Sequence, residues 1–295
     1  MTAGTIHLLL VNPSAGGGRV RELLPRAREA LEAQGIGYRV VETTGLEHGC
    51  VEARMAAAAG EVVVVMSGDG LVGQIGGTLA NTGAKLGVLP GGRGNDFARV
   101  LGIPDDIPGA VGVLAADRTR DVDVGEVNDK RFLCIASCGF DSDANRIANE
   151  AKWVRGRAVY LYAALRALAE WKPARFTVTL DGEPTEFTGY SAGAANSQAY
   201  GGGMYAAPDA QLDDGLLDVV WVSRMGKLSF LNRVLRRIFD GTHVENPEVF
   251  AERAREVRIE ADRPFAVYAD GDHLTDLPAT ERLLPRALRV LAPPV

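Results

Sequence analysis

The sequence predicts an α/β plus β architecture: a doubly wound α/β domain over residues 1–120, then an antiparallel β-sandwich domain over residues 121–295. Two features of the pattern predict it. In the first part, short apolar runs alternate with helical stretches, as in a parallel sheet covered on both faces. In the second, longer runs of alternating polarity are separated by turn signals such as Asp-Gly. No run approaches the roughly 20 apolar residues that a bilayer-spanning helix needs, so any membrane contact is expected to be peripheral.

The elements follow in order. "IHLLLVN" reads as a first strand, not a signal peptide, because no basic segment precedes its short apolar run. "VRELLPRAREALEAQG" is a helix, "GYRVVET" a strand, "GCVEARMAAAAG" a helix, and "EVVVVMSGD" an interior strand, apolar on both faces. "LVGQIGGTLAN" and "KLGVLP" add a helix and a strand. The sandwich strands are expected in "RFLCIASCGF", "RFTVTLDGEPTEFTGYSAGAAN", "LLDVVWVS", "EVRIEADRPFAVYADGDHL" and "ALRVLAP". Two helices with apolar and basic faces interrupt them, Trp153 to Trp171 and Lys227 to Asp240. Without a long linker, the domains are expected to pack together and leave a cleft.

Composition narrows the function classes. A net charge of −6 argues against a nucleic-acid partner, whose phosphates would repel an acidic surface. Cys50, Cys134 and Cys138 have no zinc-like spacing, and an odd count without a signal sequence fits reduced thiols in the cytoplasm.

Three glycine-rich loops follow predicted parallel strands, where such sheets bind ligands. They are "NPSAGGGR" from Asn12, "SGDG" from Ser67, and "LPGGRGNDFAR" from Leu89. Glycines let a phosphate approach the backbone, and a helix N-terminus favours its charge. Asp69, an anion beside anionic phosphates, makes sense with Mg2+ between them; its alternative is a capping or turn carboxylate. Asn95 and Asp96 are either ligand groups or an N-cap pair that orders the loop. The cluster Asp209, Asp213, Asp214 and Asp218 in "PDAQLDDGLLD" is either a hard-cation site or a solvated acidic turn.

The order NPxxG, GDG, GxxNDFAR, "DDGLLD" and "DGD" resembles the diacylglycerol kinase catalytic family, which includes bacterial lipid kinases and sphingosine kinases. The resemblance covers nearly the whole chain. It implies a nucleotide-binding domain like that of NAD kinases, a C-terminal β-sandwich, and ATP and a lipid hydroxyl meeting in the cleft. By resemblance, Asn12, Pro13, Ser14, Ala15, Gly16, Thr44, the segment Gly68, Asp69, Gly70, Leu71 through Gln74, and Arg93 contact ATP, with Asn95 and Asp96 beside them. The family places its general base at the acidic residue after the glycine of "DGD", here Asp272, with Asp270 helping to organise magnesium or substrate; the pair is also compatible with a plain Asp-Gly hairpin. The bacterial relatives carry a structural Mg2+ whose ligands fall on Gln211, Asp214 and the backbone of Leu216. Relatives are often dimers, so a homodimer stays open.

The chain departs from the family at Leu71, Gly73, Gln74 and Arg93, where relatives usually carry threonine, asparagine, glutamate and threonine. Arg93 is the expected compensation, as a cation for phosphate. Readings as an active lipid kinase, as a kinase for sphingoid bases or other lipid alcohols, and as an inert nucleotide- or lipid-binding module all fit; the four carboxylates Asp69, Asp96, Asp270 and Asp272 favour catalysis. The partner is expected to be a lipid at a membrane surface, on the inner face of the cell membrane. Leu228, Leu231, Leu235 and Ile238 with Lys227, Arg233, Arg236 and Arg237 fit a helix at an anionic interface or one packed on the sandwich. Arg155, Arg157 and Arg166 raise the same pair of options for the earlier helix.

Overall fold

A computed structural model describes residues 6–151 and 158–294. It divides into two compact units, one comprising residues up to Val124 together with Pro285 onward, the other Gly125–Leu284. The first unit thus includes a second, C-terminal segment from Pro285 onward, and Gly125–Leu284 is inserted between its two parts.

Along the chain run β1 (His7–Val11), α1 (Arg19–Ala33), β2 (Tyr38–Glu42), α2 (Leu46–Ala58), β3 (Val62–Ser67), α3 (Asp69–Leu79), β4 (Lys85–Pro90), α4 (Asp96–Val100), α5 (Ile107–Ala116) and β5 (Thr119–Val127). There follow β6 (Lys130–Phe132), β7 (Ile135–Gly139), α6 (Phe140–Glu150), α7 (Ala158–Glu170), β8 (Ala174–Leu180), β9 (Glu183–Ala195), β10 (Leu217–Ser223) and α8 (Lys227–Phe230). The chain closes with β11 (Val249–Ala254), β12 (Glu256–Ala261), β13 (Ala266–Ala269), β14 (Asp272–Asp276) and β15 (Ala279–Leu291).

In the first unit the sheet order is β2-β1-β3-β4, continued by the far end of β15, and these neighbours are parallel. From β1 the chain moves outward to β2 and then crosses back to β3 on the other side of β1, so the loops after β1 and β3 flank the point where the winding reverses. Residues Val62 to Met66 of β3 are all at most 4% exposed. Burying each such side chain contributes about 1.5–3 kcal/mol, and the branched Cβ atoms of the four valines suit a strand covered on both faces. Val20, Leu24, Ala27 and Leu31 make the buried stripe of α1 at helical spacing.

In the second unit the pairings among β7 to β14 are antiparallel. The long strand β9 serves two layers. Its first half pairs with β8, and its second half pairs with β7 and β10. The core between the layers includes Phe176, Val178, Ala192, Ala194, Val219 and Trp221. Helix α6 has no counterpart in the sequence expectations, and the expected helix from Lys227 to Asp240 is broken: α8 passes into a π-helical turn at Leu231–Leu235. Trp153, Arg155 and Arg157 lie outside the described residues.

Candidate functional site

In the first unit the three glycine loops stack backbone to backbone. Asn12 Oδ1 accepts the Ser14 N–H at 3.1 Å and the Ser14 hydroxyl at 2.8 Å, folding the loop past Pro13 into Ala15 and Gly16. Gly16 has φ of 61°, and a Cβ there would sit 2.5 Å from the carbonyl oxygen of Gly91. A Cβ on Gly92 would sit 2.4 Å from Gly68 Cα. Both distances are far inside the 3.5–4.0 Å of ordinary carbon contact, so only glycine lets these loops meet.

α3 begins at Asp69 with Gly68 as its N-cap, so the N–H groups of Asp69, Gly70 and Leu71 form the first turn at the positive end of the helix. That arrangement suits phosphate oxygens. Asp69 Oδ1 accepts the Phe97 N–H at 3.3 Å, so this carboxylate also caps α4. Asn95 orders the third loop: its Oδ1 accepts the Gly92 N–H at 2.8 Å and its Nδ2 donates to Asp105 at 3.0 Å. Asp96 is buried, with Arg99 Nε 3.8 Å from its carboxylate. Thr44 is exposed and its N–H donates to His48 Nδ1.

The residues that depart from the family fall in distinct environments. Leu71 is 4% exposed and packs beside Gly49 of α2, so its side chain is core and only its N–H belongs to the helix terminus. Gln74 is half-buried one turn further on. Arg93 is exposed and has no ion-pair partner among the described residues, so its guanidinium is available to an anion.

In the second unit Asp270 and Gly271, with φ of 52° and 91°, form the two-residue turn joining β13 to β14. The Asp270 carboxylate is tied down on both oxygens, accepting the Leu133 N–H at 2.8 Å and the Cys134 N–H at 2.9 Å. Burial nonetheless pushes it up to about 6. Asn149 Nδ2 donates to the Gly271 carbonyl and pins the turn from α6. Asp272 opens β14 opposite Ala269, half-buried, and burial raises its carboxyl above the usual aspartate range. The hairpin therefore puts the two aspartates in unequal environments: Asp270 is tied to two backbone N–H groups, whereas Asp272 is half-buried at the start of β14 with its carboxyl raised by burial.

The acidic loop before β10 meets a cation from within the protein. Arg253 of β11 lies directly across from Asp218 in the strand pairing, its Nε 3.1 Å from Asp218 Oδ1 and its Nη1 3.8 Å from Asp214 Oδ2. Its Nη2 donates to the Asp209 carbonyl at 2.9 Å. Asp214 Oδ1 accepts the Leu216 N–H, and Gln211 is exposed. The expected structural Mg2+ does not fit this donor set. Gln211 and Leu216 offer only neutral carbonyl oxygens, and the one carboxylate of the set, Asp214, already accepts the Leu216 N–H on Oδ1 and faces the Arg253 guanidinium with Oδ2, so little negative charge is left to hold the ion.

The second unit also holds a feature with no counterpart in the sequence expectations: an apolar cavity whose non-atom space, open solvent at its mouth included, is about 870 Å³. Its floor is one face of β7, β9 and β10, where Ser137, Ser191 and Gly193 keep side chains small. Its cover comes from Phe140 and Ala144 of α6, Tyr160 and Ala164 of α7, and Phe230, Val234 and Leu235 of α8 and the π turn. Phe230 anchors α8 by stacking on Tyr190, ring centroids 4.0 Å apart. One carboxyl lines this cavity: Asp141, hydrogen-bonded by the Ser191 and Tyr200 hydroxyls and pushed by burial up to about 6. Its signal in the sequence is a polar stretch, "FDSDANR", directly after an apolar strand.

The helices that cover the cavity also present apolar side chains outward. Leu161 and Leu165 of α7 are 55% and 44% exposed and Leu228 of α8 is 77% exposed. The rest of the expected membrane face is turned inward: Ile238 is buried, and Leu231 and Leu235 are half-buried. Arg237 pairs with Glu245, Arg233 with Glu248, and Lys227 donates to the Ala169 carbonyl. No helix among the described residues is long and apolar enough to cross a membrane.

Comparison with known proteins identifies the family. Residues 7–127 match the family model of the diacylglycerol kinase catalytic domain, and residues 134–292 match the YegS C-terminal NAD kinase beta sandwich-like domain. A diacylglycerol kinase of Mycobacterium tuberculosis is 36% identical over 294 residues, covering 96% of this chain and 94% of its own length. A diacylglycerol kinase of Staphylococcus aureus is 28% identical over 291 residues, covering 97% and 91%. The crystal structure of a putative diacylglycerol kinase from Bacillus anthracis str. Sterne superposes with a TM-score of 0.82 at 24% identity, covering 100% of this chain and 99% of that one, and shares the fold. With both of its parts matched, and a relative of that identity aligned along nearly all of it, the chain belongs to the diacylglycerol kinase family.

Proposed function

We propose that the protein is an ATP-dependent lipid kinase that phosphorylates the hydroxyl of diacylglycerol or a similar lipid. The observation that carries the lipid half of this reading is the apolar cavity of the second unit, which suits an acyl chain and has few polar groups. The nucleotide half rests on the stacked glycine loops, where the α3 N-terminus and Arg93 suit the phosphates and Thr44 lies at the exposed end of β2. Asp69 fits a Mg2+ that arrives with the nucleotide, since Mg2+ is commonly held by one or two carboxylates plus substrate phosphates. When bound, that ion neutralises charge on the transferring phosphoryl group. Asp272 accepts the proton of the lipid hydroxyl as its oxygen forms a bond to the γ-phosphorus and the bond to the bridging oxygen breaks. Asp270 keeps the hairpin in place through Leu133 and Cys134.

Access to lipid goes through the exposed leucines. Leu161, Leu165 and Leu228 touch the membrane surface, peripherally and from the cytoplasmic side, and the helices bearing them cover the cavity. The test is to incubate the protein with labelled ATP, Mg2+ and vesicles containing diacylglycerol, ceramide or a sphingoid base. Labelled phosphatidic acid is the expected product, lost with Asp272→Asn and with Asp69→Ala. A label appearing on no lipid while ATP still binds would overturn the reading.

A further inference from the structure

We infer that in this chain Arg253 takes the place of a structural divalent cation in the loop before β10. The loop carries Asp209, Asp213 and Asp214 and leads into Asp218 at the start of the strand. Asp209 and Asp214 repel the buried Asp218, and a positive charge among them offsets that repulsion. Here that charge is covalently part of the protein.

The geometry assigns the role. Asp218 and Arg253 face each other across the β10–β11 pair, so the ladder itself fixes where the guanidinium arrives. From that place its planar fork reaches three parts of the loop: the Asp218 carboxylate at 3.1 Å, the Asp214 carboxylate at 3.8 Å and the Asp209 carbonyl at 2.9 Å. A divalent ion would gather the same kinds of oxygen, carboxylate and carbonyl, around one point. The guanidinium gathers them with directed N–H donors and keeps its charge at any working pH. The second oxygen of Asp218 is buried without a hydrogen bond, and its charge too is met by Arg253. A Mg2+ seated on Asp214 would lie within a few ångströms of that fixed cation and be repelled by it.

The loop therefore holds its shape without free Mg2+, and removing the guanidinium creates a vacancy with the ligand chemistry of a metal site. The experiment uses the full chain with neither ATP nor lipid, so it stands or fails separately from the kinase reading. Urea midpoints and the rate of proteolytic cleavage in the loop are measured in EDTA and in millimolar Mg2+. The wild type is expected to give the same midpoint and the same cleavage rate in both. Arg253→Met is expected to be cleaved roughly tenfold faster or more in EDTA, as the loss of charged hydrogen bonds implies, and to be slowed again by Mg2+. Arg253→Lys, which keeps the charge and loses the fork, should fall between. A wild type whose midpoint rises with Mg2+, or an Arg253→Met whose loop is as resistant as wild type in EDTA, overturns the assignment. If Arg253→Met does not fold, the wild-type comparison alone decides.

Discussion

Replacing Gly92 by alanine tests the loop stack most directly. The new Cβ would lie 2.4 Å from Gly68 Cα, 3.0 Å from Asn95 Oδ1 and 3.3 Å from Gly68 N. Two of these neighbours are backbone atoms, which cannot swing aside as a side-chain tip does. Restoring a normal carbon contact needs a separation of roughly 1 Å or more between the second and third loops. Overpacking of this kind costs about 1–3 kcal/mol, which a domain of this size should survive folded. The functional cost should be larger in proportion, because the N–H groups of Gly68 to Leu71 would be displaced from the position they offer to phosphate. A misplacement of about 1 Å is worth on the order of 100-fold in rate. Urea unfolding and kcat/KM for ATP should be measured on the same preparations, with Gly112→Ala as control. Gly112 sits in α5, where an added Cβ would meet nothing within 4 Å, so alanine there should stabilise by about 0.5–1 kcal/mol and leave kinetics alone. Wild-type kcat/KM for ATP in a folded Gly92→Ala would refute the proposed use of these loops.

The hairpin aspartates should separate kinetically: Asp272→Asn should lower kcat by about 10²–10⁴ with little change in KM for ATP, whereas Asp270→Asn should chiefly cost about 1–3 kcal/mol of stability by leaving an N–H of Leu133 or Cys134 unmatched, as paired kinetics and unfolding would show. Because burial raises the Asp272 carboxyl, the acid limb of kcat/KM should lie above the ordinary aspartate range, with activity falling as pH falls through it. Asp141 is pushed from 3.8 to about 6, so its folded form holds a proton more tightly than the unfolded chain. The stability this gives is complete below about 3.8 and lost as pH rises to about 6; Asp141→Asn should reduce the fall of the urea midpoint across that window by about one proton's worth, and an unchanged slope would count against the assignment. Ala164→Trp should fill the cavity beneath α7 and abolish lipid phosphorylation while ATP binding, followed by calorimetry, persists.

Much of the first unit is legible in the sequence because its signals are local. Four successive valines announce β3, and each glycine loop follows its own strand within a few residues. What stays hidden depends on partners far along the chain. Nothing near Asp270 says that its carboxylate receives N–H groups from Leu133 and Cys134, and nothing near Asp214 says that Arg253 will face it. The cavity escapes for a related reason: its floor and cover come from separate elements, each of which reads alone as an ordinary strand or helix. The regular apolar spacing after Lys227 predicts one unbroken helix, yet Ile238 is buried and the π turn re-aims Val234 and Leu235 toward the cavity. The alignment of motifs places Leu71 among the nucleotide contacts, and burial against Gly49 shows its side chain serving the core.

The last strand has a bearing on how the protein is made. Arg289 and Val290 of β15 pair with Lys85 and Leu86 of β4, and Arg289 also holds Asp121 at 2.8 Å. During synthesis on the ribosome, the Lys85–Leu86 end of β4 therefore lacks its β15 partner until residue 290 has emerged, long after β1, β2 and β3 are available. An open edge is where a nascent sheet recruits the wrong strand. The second unit is synthesised as an insertion within the first, so the strands that complete the first unit are the last to be made.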